Sequence, residues 1–138
     1  MSFIEVRRIQ VLADRIEFEI SLSDACTWHT NARIAKEILA RRPNIARHAC
    51  INGIDITFGA VIANTPLPHL LEHCAIDYLT EAASDEDFRC VGTSEWLDAT
   101  CGRALIELSM RDDLETLRAF KRATELLEEV LAQVLEEA

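Results

Sequence analysis

The chain has 138 residues, enough for one domain with a real core and no disulfide or metal staple. Apolar residues make up 49% and charged residues 28%, as in ordinary globular proteins, and no run approaches the roughly 20 apolar residues of a membrane span. A net charge of −10 argues against nucleic acid and anionic membranes as partners.

The first residues, with Glu5, Arg7 and Arg8, lack the apolar core of a signal peptide. Five cysteines (Cys26, Cys50, Cys74, Cys90, Cys101) form no C-x-x-C pair and read as reduced, mostly buried thiols, so the expected location is cytoplasmic. Residues 3–11 and 15–22 predict a β-hairpin, because Ile16, Phe18, Ile20 and Leu22 alternate with charged or polar neighbours and Ala13-Asp14 marks the turn. Residues 30–42 predict a helix built on Ala35, Ile38 and Leu39 and ended by Pro43.

A loop with His48, Cys50 and Asn52-Gly53 comes next, followed by an apolar strand over residues 54–61. A helix is expected from 66 to 82, with Thr65 as its cap and Pro66 in the first position. An acidic loop (Ser84, Asp85, Glu86, Asp87) separates it from a short strand over 88–91. Residues 103–110 alternate again: Ala104, Ile106 and Leu108 on one face, Arg103, Leu105, Glu107 and Ser109 on the other.

The tail from 113 to about 136 predicts a long amphipathic helix, with Asp112 and Glu115 resembling a capping box. Its stripe of Leu117, Phe120, Leu127, Val130, Leu131 and Val134 suits core packing. There is no internal repeat or linker, so residues 1–138 read as a single α+β domain. Its architecture is an antiparallel or mixed sheet packed against helices.

Chemistry concentrates in His69-Leu70-Leu71-Glu72-His73. Histidines at i and i+4 lie one above the other on a helix, near enough for both imidazoles to bind one Zn²⁺. H-x-x-E-H is the inverted motif of zinc peptidases, whose glutamate is the general base. In the expected helix Leu67, Leu70, Leu71, Cys74, Ala75, Tyr78 and Leu79 form the core stripe. His69, Glu72, His73, Ile76 and Thr80 fall on the other side, so the histidines either line a cleft or face water.

The surrounding residues carry a resemblance. Arg42-Pro43-Asn44, His48-Ala49-Cys50, Asn64-Thr65 and the H-x-x-E-H helix running on through Cys74-Ala75-Ile76 resemble the N-terminal domain of cyanophycin synthetase. Gly92-Thr93-Ser94-Glu95 and Leu105-Ile106-Glu107-Leu108 resemble that domain's G-x-T-R-E segment and V-V-F-E-Y strand. The similarity covers residues 35–115. It implies a domain that contacts the Asp–Arg polymer and in some members carries a metallopeptidase-like site cleaving it. Ser94 stands where the family pattern has arginine, and the ATP-using ligase parts are absent. The chain therefore reads as a freestanding relative of one domain.

On this reading His69 and His73 ligate Zn²⁺ or another divalent ion, with Glu107, aligned with the family's strand glutamate, as third ligand. The alternative for Glu107 is an exposed strand residue, and His48 is the rival ligand. Glu72 is the general base, while Glu95 and Arg103 are weaker candidates for binding substrate. Cys74 belongs to the core. The function that follows is a zinc-dependent hydrolase of peptide or isopeptide bonds, with a peptide or cyanophycin-like substrate. The alternative is a non-catalytic binding or assembly module with the same fold. A homo-oligomer is compatible with both.

Overall fold

The computed structural model describes residues 2–50, 56–83 and 90–137. Four strands form one antiparallel sheet: β1 (Ile4–Val11), β2 (Arg15–Leu22), β3 (Gly92–Asp98) and β4 (Arg103–Ser109), in the order β1-β2-β4-β3. Three helices accompany it: α1 (Ala32–Arg41), α2 (Leu67–Ala82) and α3 (Asp113–Glu136). The expected α+β class holds, as does the long C-terminal helix. No helix among the described residues is long and apolar enough to cross a membrane.

Strand periodicity decides which side the helices cover. Side chains alternate every residue along a strand, so Ile16, Phe18, Ile20 and Leu22 of β2 share one face with Ala104, Ile106 and Leu108 of β4. All seven are buried, and α2 and α3 pack on that face. The stacked rings of Phe18 and Phe120, 3.8 Å apart and within 8° of parallel, tie α3 to β2. Both rings are buried, so Phe18→Ala removes a large side chain that its neighbours cannot replace. Chemical denaturation should show a loss of about 3–5 kcal/mol.

The helix ends follow their sequence signals in part. Asn31 caps α1 by accepting from the Ile34 N–H, and Asp112 caps α3 by accepting from the Glu115 N–H. The Glu115 carboxylate turns to Arg111 instead of closing a capping box. On α2 the N-cap is Pro66, without a side-chain bond. The Thr65 hydroxyl, expected as the cap, meets the His69 ring instead.

Two expected strands are displaced. Phe58–Ala60 forms a short 3-10 turn, not part of a strand, and packs against a second 3-10 turn at Pro43–Arg47. A Cβ on Gly59 would lie 2.8 Å from the Ala46 carbonyl, so the two turns meet closely there. Phe58, Val61 and Ile62 are buried outside the strands of the sheet, an outcome that an apolar run leaves open because periodicity cannot decide it. Of the strand expected over 88–91, only Cys90 and Val91 are described, and they lie just ahead of β3, which starts at Gly92. Asn52-Gly53, the acidic segment at 84–87 and Phe88 lie outside the described residues.

α2 is buried on more than one side. Its core stripe faces the sheet and α3, while Glu72, only 4% exposed, lies under Gly92 of β3 and His73, only 3% exposed, packs against His48 and Phe58. The H-x-x-E-H face therefore lines a cleft and does not face bulk water.

Candidate metal centre

A small antiparallel ladder positions the ligand-bearing loop over α2. The Phe58 N–H donates to the His48 carbonyl (2.8 Å), the Cys50 N–H donates to the Ile56 carbonyl (2.9 Å), and Ala49 pairs with Thr57. His48, Cys50 and Phe58 are thus held against the motif helix. The Phe58 ring stacks on His73 (4.0 Å, 16°) and meets His69 edge-on (4.9 Å). One buried phenyl therefore fixes the planes of both imidazoles.

His69, His73 and Cys50 converge. One ligand atom from each lies within 4.8 Å of the other two, and Cys50 Sγ is 3.5 Å from His69 Nε2. Donors around tetrahedral zinc stand roughly 3.3–3.7 Å apart, so the group closes on an ion with movements of about an ångström. This trio can hold a metal ion. Cys50 is the member of this group that sequence reasoning missed; the H-x-C element quoted in the resemblance was the available signal.

Hydrogen bonds select the ring nitrogens that face the centre. His69 Nδ1 lies 2.8 Å from the Thr65 hydroxyl, leaving Nε2 toward Cys50. Asp77 is held below the usual carboxylate range: burial opposes ionisation, but the bond from His48 and the Arg42 guanidinium outweigh it. Arg42 Nε donates to Asp77 Oδ2 at 2.7 Å. In the tautomer in which His48 Nε2–H donates to Asp77 Oδ1 (3.2 Å), its Nδ1 is an acceptor. The group 3.1 Å away is His73 Nδ1, which then carries the proton and leaves Nε2 as the lone-pair atom. His48, the rival ligand, lies behind His73 and orients it, as outer hydrogen-bond partners of metal ligands do.

His48→Gln tests this relay. Glutamine can accept with its oxygen and donate with its nitrogen, whereas leucine does neither. His48→Leu should weaken zinc binding about 10–100-fold, and His48→Gln should recover most of it. Competition titration against a chromophoric chelator reads both, and equal losses in the two variants would make His48 a ligand.

The electrostatics suit a cation. Burial first, then the nearby His69 and His48, push His73 down to about 3, and burial lowers His69. Both imidazoles are therefore neutral, as ligation requires. Glu72 Oε2 lies 3.8 Å from His73 Nε2. Burial raises its carboxyl to about 7, against a hydrogen bond from Ser94 that lowers it. Gly92 passes directly over this group: a Cβ there would lie 2.9 Å from Glu72 Oε2 and 3.0 Å from Ile76 Cδ1. The cleft above has a volume of about 770 Å³, floored by α2 and walled by residues 48–50 and 90–94.

Glu107 is not the third ligand. It sits on the sheet face away from α2, opposite Glu17 and Thr93 and 4.0 Å from Arg15. The alternation that puts Ile106 and Leu108 under the helices turns Glu107 the other way. Glu95 and Arg103 share that far face. Glu95 is exposed, Arg103 pairs with Glu19 at 2.8 Å, and neither lines the cleft. Ser94, read from the sequence only as a departure from the family pattern, instead holds Glu72. Cys74 is fully buried, as expected of a core residue, and desolvation pushes its thiol well up.

Compared with known proteins, the chain matches no family model and no curated protein.

Proposed function

We propose that Cys50, His69 and His73 hold a divalent ion, zinc by preference, and that the protein is a metal-dependent hydrolase of peptide or isopeptide bonds. One thiolate with two imidazoles suits zinc over the harder magnesium and calcium, and three protein donors leave a position open, as in catalytic sites. The observation that carries the reading is the placement of Glu72: a buried carboxylate 3.8 Å from a ligand nitrogen, on the floor of an open cleft. A site serving structure alone has no use for it.

When bound, such an ion supplies Lewis acidity to a carbonyl and brings coordinated water close to neutral acidity. Glu72 accepts a proton from the attacking water and returns it to the departing amine, so water and amide become carboxylic acid and amine. Ser94 orients the Glu72 carboxylate, and Phe58 with the Arg42–Asp77–His48 chain holds the imidazoles in plane and tautomer. The resemblance to the synthetase domain extends the proposal to Asp–Arg type isopeptides.

The test is metal content of untagged protein, then cleavage of ordinary and cyanophycin-like peptides with and without chelator. About one equivalent of zinc, and cleavage lost to chelator and restored by zinc, are expected. Cleavage of neither substrate, or cleavage indifferent to chelator, would overturn the hydrolase and leave the binding module.

A further inference from the structure

The cleft is bordered by a strand whose outer edge has no neighbouring strand among the described residues. The Leu22 N–H donates to the Gly102 carbonyl (2.9 Å), and Ile20 pairs with Ala104 and Phe18 with Ile106. Even-numbered residues of β4 therefore bond to β2. The Ser109 N–H donates to the Val91 carbonyl (2.8 Å), and Glu107 pairs with Thr93 and Leu105 with Glu95. Odd-numbered residues of β4 thus bond to β3.

Antiparallel pairing alternates along each strand, so in β3 the main chains of Thr93 and Glu95 point into the sheet and those of Gly92 and Ser94 point out of it. β3 is the last strand of the sheet, and the main chains of Gly92 and Ser94 have no partner among the described residues. Both residues line the cleft. So does Thr93, although its side chain belongs to the far face with Glu107, so the strand meets the cleft along its edge. The opposite wall is Ala49 and Cys50, and between them lie His69, Glu72 and His73.

We propose that the substrate is an extended polypeptide that adds to the open edge of β3, with Gly92 and Ser94 as its main-chain hydrogen-bond partners. Two outward pairs of N–H and C=O groups, two residues or about 6.8 Å apart, match the repeat of an extended peptide. Strand addition of this kind draws affinity from the main chain. It lays a substrate carbonyl over Glu72 and the three metal-binding side chains. Gly92 serves it doubly: lacking a side chain, it passes over Glu72 without a clash and lets a second backbone come close. Recognition is then of conformation more than side chains. Unfolded segments fit, and segments already paired in helices or sheets do not.

This inference rests on the hydrolase reading for its consequence, but binding separates the two. The probe is an end-blocked pool of random-sequence decapeptides, made with ordinary and with N-methylated backbone amides. Retention on zinc-loaded Glu72→Gln protein and cleavage by zinc-loaded wild type are both read by mass spectrometry. Ser94→Pro removes the outward N–H and spares the bonds to β4, since proline is tolerated where a strand's N–H faces out. It is compared with Ser94→Ala, which also lacks the hydroxyl that Glu72 uses, each variant being built in the background that its readout requires.

Retention about tenfold weaker in Ser94→Pro than in Ser94→Ala is expected, with a similar loss for the N-methylated pool on protein whose Ser94 is unchanged. The N-methyl comparison stands even if the proline variant fails to fold. Equal retention of methylated and ordinary pools, or no retention of any peptide, would overturn the edge. Edge-dependent retention without cleavage by wild type would sink the hydrolase and leave the edge standing.

Discussion

Glu72→Gln is expected to keep its metal and lose turnover by about 10²–10⁴-fold, the usual contribution of a general base. Glutamine preserves the volume of a side chain only 4% exposed and packed under Gly92, so neither helix nor cleft should change shape. It can still bond to the Ser94 hydroxyl but cannot take a proton from water. The loss should appear in kcat, with KM for the peptide little changed, because the carboxylate acts in the chemical step. Steady-state kinetics on protein of verified zinc content make the measurement. Turnover within a factor of ten of wild type would remove Glu72 from the mechanism.

The second large effect falls on the metal itself. Dividing the roughly 10–16 kcal/mol of a four-donor zinc site evenly assigns about 3 kcal/mol to each donor, or about two orders of magnitude in Kd. Cys50→Ser and His69→Ala should each cost that much and leave zinc substoichiometric after dialysis. Cys50→Ser changes one atom in a half-buried loop and should leave the fold intact. His73→Ala is a poorer test, because His73 is only 3% exposed and stacks on Phe58, so its removal opens a cavity as well. Elemental analysis with thermal melts separates the two effects. Full zinc occupancy in Cys50→Ser would remove Cys50 from the ligand set.

Much of the site was legible because it is local. The i,i+4 histidines and the carboxylate between them occupy one helical turn, and helix geometry alone places them on a common face. The core stripe of the same helix was equally legible: Leu67, Leu70, Leu71, Cys74, Ala75 and Leu79 are all nearly or fully buried. Glu107 was assigned across elements, where a likeness in register to a family strand was given more weight than alternation. The pattern already set Ile106 and Leu108 toward the helices, and a residue between them cannot point the same way.

Helix spans, the β2 and β4 faces and the histidine pair come from periodicities of 3.6 and 2, which a sequence carries in itself. Cys50 and the Arg42–Asp77–His48 chain were beyond such reasoning. Their positions depend on how the polypeptide between α1 and α2 folds back over the motif, through pairing of His48 with Phe58 and of Cys50 with Ile56. β3 was beyond it too, as a half-covered edge strand whose inward residues are Gly92, Ser94 and Trp96 and whose apolar alternation is correspondingly faint. Contacts between segments distant along the chain are set by packing and loop closure, which leave no period to read. The histidines of the centre were therefore written into one helical turn, while their third partner, their tautomers and the open strand edge beside them were decided by the tertiary fold.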